Sequence, residues 1–147
     1  MKNIPSILLS VLLSASAANA ASTHVSRVDL YATCVASEND KLKQWVTHVL
    51  TPAELNRIDP YQLKSISDGC ACTVKQAFEY LTQDTIQAFN TSLKSGKGDI
   101  APGKTRASME FQKTGMMDKQ IACNMQGLKS SGLQKKMDDL YKVKSRK

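Results

Sequence analysis

The chain has 147 residues, 20 Lys and Arg against 13 Asp and Glu, four cysteines and eight aromatics. That length holds one domain with a real core and excludes two full-sized ones. The few aromatics and seven glycines argue against a sandwich, a barrel or a collagen-like chain. The net charge of +7 suggests nucleic acid or membrane until it is located. One positive charge falls in residues 1–20 and a net +5 in residues 128–147, which leaves the 107 residues between them at +1.

Residues 1–20 read as an export signal. Lys2 and the amino terminus precede an apolar stretch, Ile7–Leu13, and the segment closes on Ala18-Asn19-Ala20, the small-x-small pattern of a signal-peptidase site. The apolar stretch is too short to span a bilayer, and no later stretch approaches the roughly 20 apolar residues of a transmembrane helix. Cleavage is expected after Ala20, with no cysteine following it as a lipid anchor and no twin arginine before it. The expected location is the bacterial periplasm, with extracellular secretion as the alternative. The Asn90-Thr91-Ser92 sequon would matter only in a eukaryotic secreted protein, and it lies inside a helical pattern.

The mature chain is patterned as helix after helix. Val25, Val28, Tyr31, Ala32 and Val35 recur at helical spacing over Val25–Ser37, and Ser37–Asp40 is a polar interruption, a break or a fresh start. Lys41–Leu50 resumes the stripe with Leu42, Trp45, Val46, Val49 and Leu50. Thr51-Pro52-Ala53-Glu54 is a capping box with proline at the first helical position, predicting a short helix to about Ile58. Asp59-Pro60 repeats the signal and opens the longest helical pattern, Pro60 to about Leu93, which Ser95-Gly96-Lys97-Gly98 ends. Gly96–Gly103 is the one loop-rich stretch. Thr105–Met125 is helical again, and Ser130-Ser131 restarts a last helix through Tyr141. The expected fold is all-α, a small disulfide-stapled bundle of four to six helices. Residues 21–128 form the body and residues 129–147 a basic C-terminal helix or tail.

All four cysteines, Cys34, Cys70, Cys72 and Cys123, fall in the mature chain, and an even count in an oxidising compartment reads as two disulfides. Cys70 and Cys72 stand two apart in a helical pattern and so point about 200° apart around its axis. They cannot bond each other without breaking the helix, so one reaches Cys34 and the other Cys123. Cys70 continues the apolar stripe Leu63, Ile66, Cys70, Val74, Ala77, Leu81, whereas Cys72 lies toward its flank. This favours Cys34–Cys70 with Cys72–Cys123 and leaves the crossed pairing open. The functional alternative is a redox couple at Cys70-x-Cys72, but attacking thiols usually sit exposed at a helix N-terminus rather than inside a helix. Zinc would need His24 or His48, and neither shows a ligand-pair spacing.

One formal motif occurs. Gly98-Asp99-Ile100-Ala101-Pro102-Gly103-Lys104-Thr105 matches G-x-x-x-x-G-K-[ST], the phosphate-cradling pattern, which works when a strand delivers the glycines and a helix follows. A helix precedes it here, so a helix–helix connector is expected. His48 reads as a flank histidine, Glu54 as a cap and Asp138-Asp139 as charge relief in a basic helix. Met109, Met116, Met117, Met125 and Met137 read as core filling rather than as soft-metal ligands. The tail pairs an apolar stripe with Lys135, Lys136, Lys142, Lys144, Arg146 and Lys147, the candidates for contact with a partner or with anionic headgroups. No basic-and-aromatic interleaving supports nucleic acid.

With Cys34, Cys70-x-Cys72 and Cys123 in view, the chain resembles small exported helical bacterial proteins that carry one cysteine before and one after a central Cys-x-Cys helix. The resemblance covers most of the mature chain and rests on the cysteine layout. A looser similarity is to the helical, disulfide-bonded periplasmic immunity proteins that neutralise secreted toxins; no site residue carries over from them. Together these features lead us to expect a non-catalytic envelope protein, without metal or cofactor, that binds a protein partner. Cys70/Cys72 redox chemistry and envelope attachment through the basic tail are the alternatives.

Overall fold

The computed structural model describes residues 24–46 and 48–144; the expected signal segment, together with Arg146 and Lys147, lies outside them. Ser26 opens the first helix, α1 (Arg27–Val46), by a reciprocal cap. Its Oγ accepts from the Asp29 N–H at 3.1 Å, and the Asp29 carboxylate accepts from the Ser26 N–H at 3.1 Å. Val25 just before the cap and Leu30 just after it are both buried in one cluster, so an apolar contact fixes the entry of the chain. The helix runs through Ser37–Asp40 without a break. Ser37 is buried, and Lys41 reaches back to Glu38 at 2.9 Å across that polar stretch.

The capping box at Thr51 forms as expected, with the Thr51 N–H donating to Glu54 Oε2 at 2.8 Å. The helix it opens is not the expected short one: α2 (Pro52–Tyr80) continues through Pro60. A proline inside a helix forfeits one backbone hydrogen bond and costs about 3 kcal/mol. Burial on both sides of it, at Ile58, Gln62, Ser65 and Cys70, offsets that cost, while Pro60 itself faces solvent.

The long helical pattern breaks instead at Leu81–Thr82, both in extended conformation, before α3 (Gln83–Lys94). The cause is tertiary. Glu110, on α4 (Arg106–Lys113), accepts from the Thr82 N–H at 3.0 Å, from the Thr82 hydroxyl at 2.7 Å and from the Thr85 hydroxyl. It does for α3 what the third helical residue of a capping box does within one helix. Burial alone would raise the Glu110 carboxyl. The Thr85 and Thr82 hydrogen bonds, with Arg106 nearby, outweigh it and hold the carboxyl below its ordinary 4.5.

The expected Thr105–Met125 helix is likewise two. Gly115 takes the left-handed conformation, φ 62°, and separates α4 from α5 (Met116–Ser131). Gly132, φ 73°, then separates α5 from α6 (Leu133–Lys144). α5 thus crosses residue 128, and Leu133, Met137 and Leu140 of α6 pack against Val46, Leu50 and Ile58, so this basic helix is part of the body.

The described residues are all-helical, a small disulfide-stapled bundle with two cores. The larger gathers Leu30, Val74, Ile86, Phe89, Leu93, Phe111 and Met116, with the Phe89 and Phe111 rings 5.2 Å apart. The smaller gathers Val46, Leu50, Ile58 and Leu133. Between them α2 and α5 meet on small residues. A Cβ on Gly127 would fall inside contact distance of the Ser65 carbonyl oxygen and 3.0 Å from the Gly69 nitrogen. No helix among the described residues is long and apolar enough to cross a membrane.

Gly127→Ala should therefore cost about 1–3 kcal/mol in urea unfolding, as overpacking against backbone does. Gly103→Ala, in an open loop without positive φ, should fall within about 0.5 kcal/mol of the parent. Glu110 gives a second test. Its contribution is complete above pH 4.5 and is lost as pH falls through its lowered folded value. Acid titration of Glu110→Gln should show lower stability at neutral pH and a shallower decline below 4.5.

Candidate functional site

Cys70 is buried in the larger core and bonds Cys34 of α1, with Cα atoms 5.8 Å apart. Cys72, two positions on and half-buried, bonds Cys123 of α5 across 5.4 Å. This is the pairing that the position of Cys70 on the apolar stripe favours. It closes sequence separations of 36 and 51 residues, each worth about 4 kcal/mol in the chain-entropy model. Both bonds suit an oxidising compartment. α2 is the shared wall, with α1 and α5 held to it on different sides.

Where those three helices and the start of α6 meet, they leave a cleft of about 270 Å³. Leu42 and Trp45 of α1, Ile66 of α2, Leu128 of α5 and Leu133 of α6 supply apolar walls. The cleft lies at the seam between the cores: Leu42, Leu128 and Leu133 belong with the smaller one and Ile66 with the larger. Trp45 is 51% exposed and forms its open side. Three neutral polar side chains share the lining, Gln62 and Ser65 from α2 and Asn124 from α5. Gln62 is 6% and Ser65 8% exposed. Gly69, lacking a Cβ, leaves room for the Asn124 carboxamide, whose Oδ1 would stand 3.1 Å from such a carbon. The charged members of the lining, Glu38 and Lys41, neutralise each other. The cleft therefore offers apolar contact and neutral hydrogen-bonding groups. Sequence reading flags Leu42 and Trp45 as stripe members but misses Gln62, Ser65 and Asn124, because a helical polar residue carries no mark of burial until its neighbours are placed.

The G-x-x-x-x-G-K-T segment is a pinned connector. Gln120 Nε2 donates to the Gly98 carbonyl at 3.1 Å, the Ser108 hydroxyl to the Ala101 carbonyl at 2.9 Å, and Ser92 Oγ to the Asp99 carbonyl. Thr105 Oγ1 accepts from the Ser108 N–H at 3.1 Å as the cap of α4. Among the described residues no grouping of His, Cys, Asp and Glu could hold a metal ion. His24 and His48 are exposed.

The methionines correct one expectation. Met116 is buried and Met137 packs on the smaller core, but Met109, Met117 and Met125 are exposed, as is Ile121. α5 turns its small and polar residues, Gln120, Cys123, Gly127 and Ser131, inward, and the close approach to α2 leaves no room there for a larger side chain. In the same way Leu63 leaves its stripe and is exposed.

Of the tail residues, Lys135 and Lys142 face solvent on α6, with exposed Asp138 and Asp139 interleaved along the same shallow groove. Lys136 lies over the Tyr61 ring, 5.4 Å from its centroid. Lys144 ends α6, and Arg146 and Lys147 lie outside the described residues.

Fold and site together define a disulfide-pinned helical bundle with a neutral, mostly apolar cleft. Compared with protein-family models, curated proteins and solved structures, the chain matches none.

Native protein should take up no iodoacetamide, and reduction under denaturant should expose all four thiols. Replacing Cys34 and Cys70 together by alanine should lower stability by about 4 kcal/mol. Labelling of Cys70 or Cys72 in the untreated protein would contradict this arrangement.

Proposed function

We propose that this chain is a non-catalytic protein exported to the bacterial periplasm, where it binds a protein partner through the side that carries the cleft. An immunity or inhibitor protein is the sharpest form of this reading. The observation that carries it is the double cross-link of α2, to α1 through Cys34–Cys70 and to α5 through Cys72–Cys123. The walls of the cleft are thereby joined covalently, and a preformed face gives up little conformational freedom on binding, which is where much affinity is otherwise lost. Export is supported by the Lys2 to Ala20 segment and by a fold that carries two disulfides. The four-cysteine layout, similar to that of small exported helical bacterial proteins and more loosely to immunity proteins, points the same way.

The test is photo-crosslinking in intact cells, with a benzophenone side chain at position 45 on the cleft and, as control, at position 109 on α4. The expected result is mature protein beginning at Ala21 in the periplasmic fraction. One defined adduct should form from position 45 and not from 109. Retention of the chain in the cytoplasm, or equal and diffuse labelling from both positions, would overturn the proposal.

A further inference from the structure

Three neutral polar side chains of the cleft find no hydrogen-bond partner among the described residues. Gln62 and Ser65 are each more than nine-tenths buried, yet neither side chain has a hydrogen-bond partner among the described residues. Asn124, half-buried, has none either. Their polar atoms are not sealed in: among the described residues the enclosed side-chain atoms without a partner are those of Ser37, Thr73, Gln83 and Asn90, so Gln62, Ser65 and Asn124 open onto the cleft, where water or a ligand supplies the hydrogen bond. Gln62 also lines a second cleft of about 310 Å³, with Asn39, Leu55 and Asp59 among others.

We infer that the cleft is an anchor site for one neutral, apolar residue of a partner polypeptide, taken together with its backbone amide. This rests on the proposed partner-binding function and gives that binding its chemistry. Carboxamides carry a donor and an acceptor side by side, as a peptide group does, so Gln62 and Asn124 complement a main-chain amide, with Ser65 able to donate or accept. Leu42, Ile66, Leu128, Leu133 and the Trp45 ring complement an aliphatic or aromatic side chain. A charged residue finds no counterpart, since Lys41 and Glu38 hold each other at 2.9 Å. The volume, about 270 Å³, equals about nine waters of liquid. That admits one large side chain with its amide. Anchors of this kind, a side chain filling a desolvated pocket, dominate the energetics of protein interfaces.

The test uses the mature, oxidised chain and N-acetyl amino-acid amides as probes, read by NMR. N-acetyl-phenylalaninamide and N-acetyl-leucinamide should give saturable shifts at the Gln62 and Asn124 side-chain amides and the Trp45 indole, with Kd of about 1 mM, fitting for ligands of that size. N-acetyl-glycinamide, which lacks the side chain, should bind about ten-fold more weakly, and methyl glucoside should not bind at the cleft. Gln62→Leu should weaken N-acetyl-phenylalaninamide about ten-fold while leaving Tm equal or higher, because the Gln62 amide makes no hydrogen bond among the described residues. Trp45→Ala, at an exposed wall, should weaken it without loss of fold.

A lower Tm in Gln62→Leu with unchanged probe binding would show a structural glutamine and overturn the inference. So would equal binding of the glycine and phenylalanine probes, preference for the glucoside, or no saturable shift at the solubility limit. A partner crosslinked from position 45 whose capture survives Gln62→Leu would overturn the anchor while leaving the partner-binding function standing. Absence of any partner from cells, with probe binding intact, would do the reverse.

Discussion

Two cysteines two positions apart on a helix leave it about 200° apart around the axis, so their bonds must draw different neighbours onto different sides. The rest of this bundle is arranged around that geometry. Cys70 commits α1 to one side of α2 and Cys72 commits α5 to another. At its closest the α2–α5 contact is built from small and polar residues, Ser65 and Gly69 against Cys123, Asn124 and Gly127. Such a seam gains close backbone contact and little transfer free energy. The Cys72–Cys123 bond lies within it and lessens the chain entropy that the seam would otherwise have to overcome.

A close seam at the middle of the molecule explains why there are two cores rather than one. Large apolar residues are displaced to the ends, Phe89 and Phe111 at one and Ile58 and Leu133 at the other. Where the two meet, the walls are set by helices that traverse both, α1 and α2, and the space between them is not filled. An unlinked bundle could collapse such a gap by sliding one helix over another. Here α1 and α5 are tied to α2 within three residues of each other, and sliding either would strain a bond. The cleft and the cysteines are two consequences of one arrangement.

That arrangement was partly legible in the sequence. The all-helical class, the pairing logic of Cys70 and Cys72 and the Thr51–Glu54 cap all follow from local spacing, and each is a property of one or two turns of chain. The helix boundaries were not legible for reasons that are equally physical. Pro60 ordinarily starts a helix and here sits inside one, because Ile58 and Gln62 on either side of it are buried by elements distant in sequence. Thr82 lacks a glutamate three residues on, and its partner is Glu110, 28 positions away. Met117 and Met125 read as core filling, but Gly127 brings α2 too close to α5 for them, and they face out. Gln62, Ser65 and Asn124 were the hardest to foresee. Their significance lies in lining the cleft without partners among the described residues, and both conditions are set by the finished packing.

Charge takes on a local meaning in this structure. The basic excess of the last twenty residues is tempered where it can be followed: Lys136 lies on Tyr61, and Lys135 and Lys142 alternate with Asp138 and Asp139. Lys41 and Glu38 cancel at the cleft. Long-range steering governs how fast charged surfaces meet, and it is screened by salt. A neutral cleft takes no part in it. A ligand of the proposed kind would be selected there by shape, apolar contact and the fit of amide to amide, and the basic tail would change only how often the encounter happens. Recognition at such a cleft and attraction by the tail would therefore be separable, and they would differ in their dependence on ionic strength.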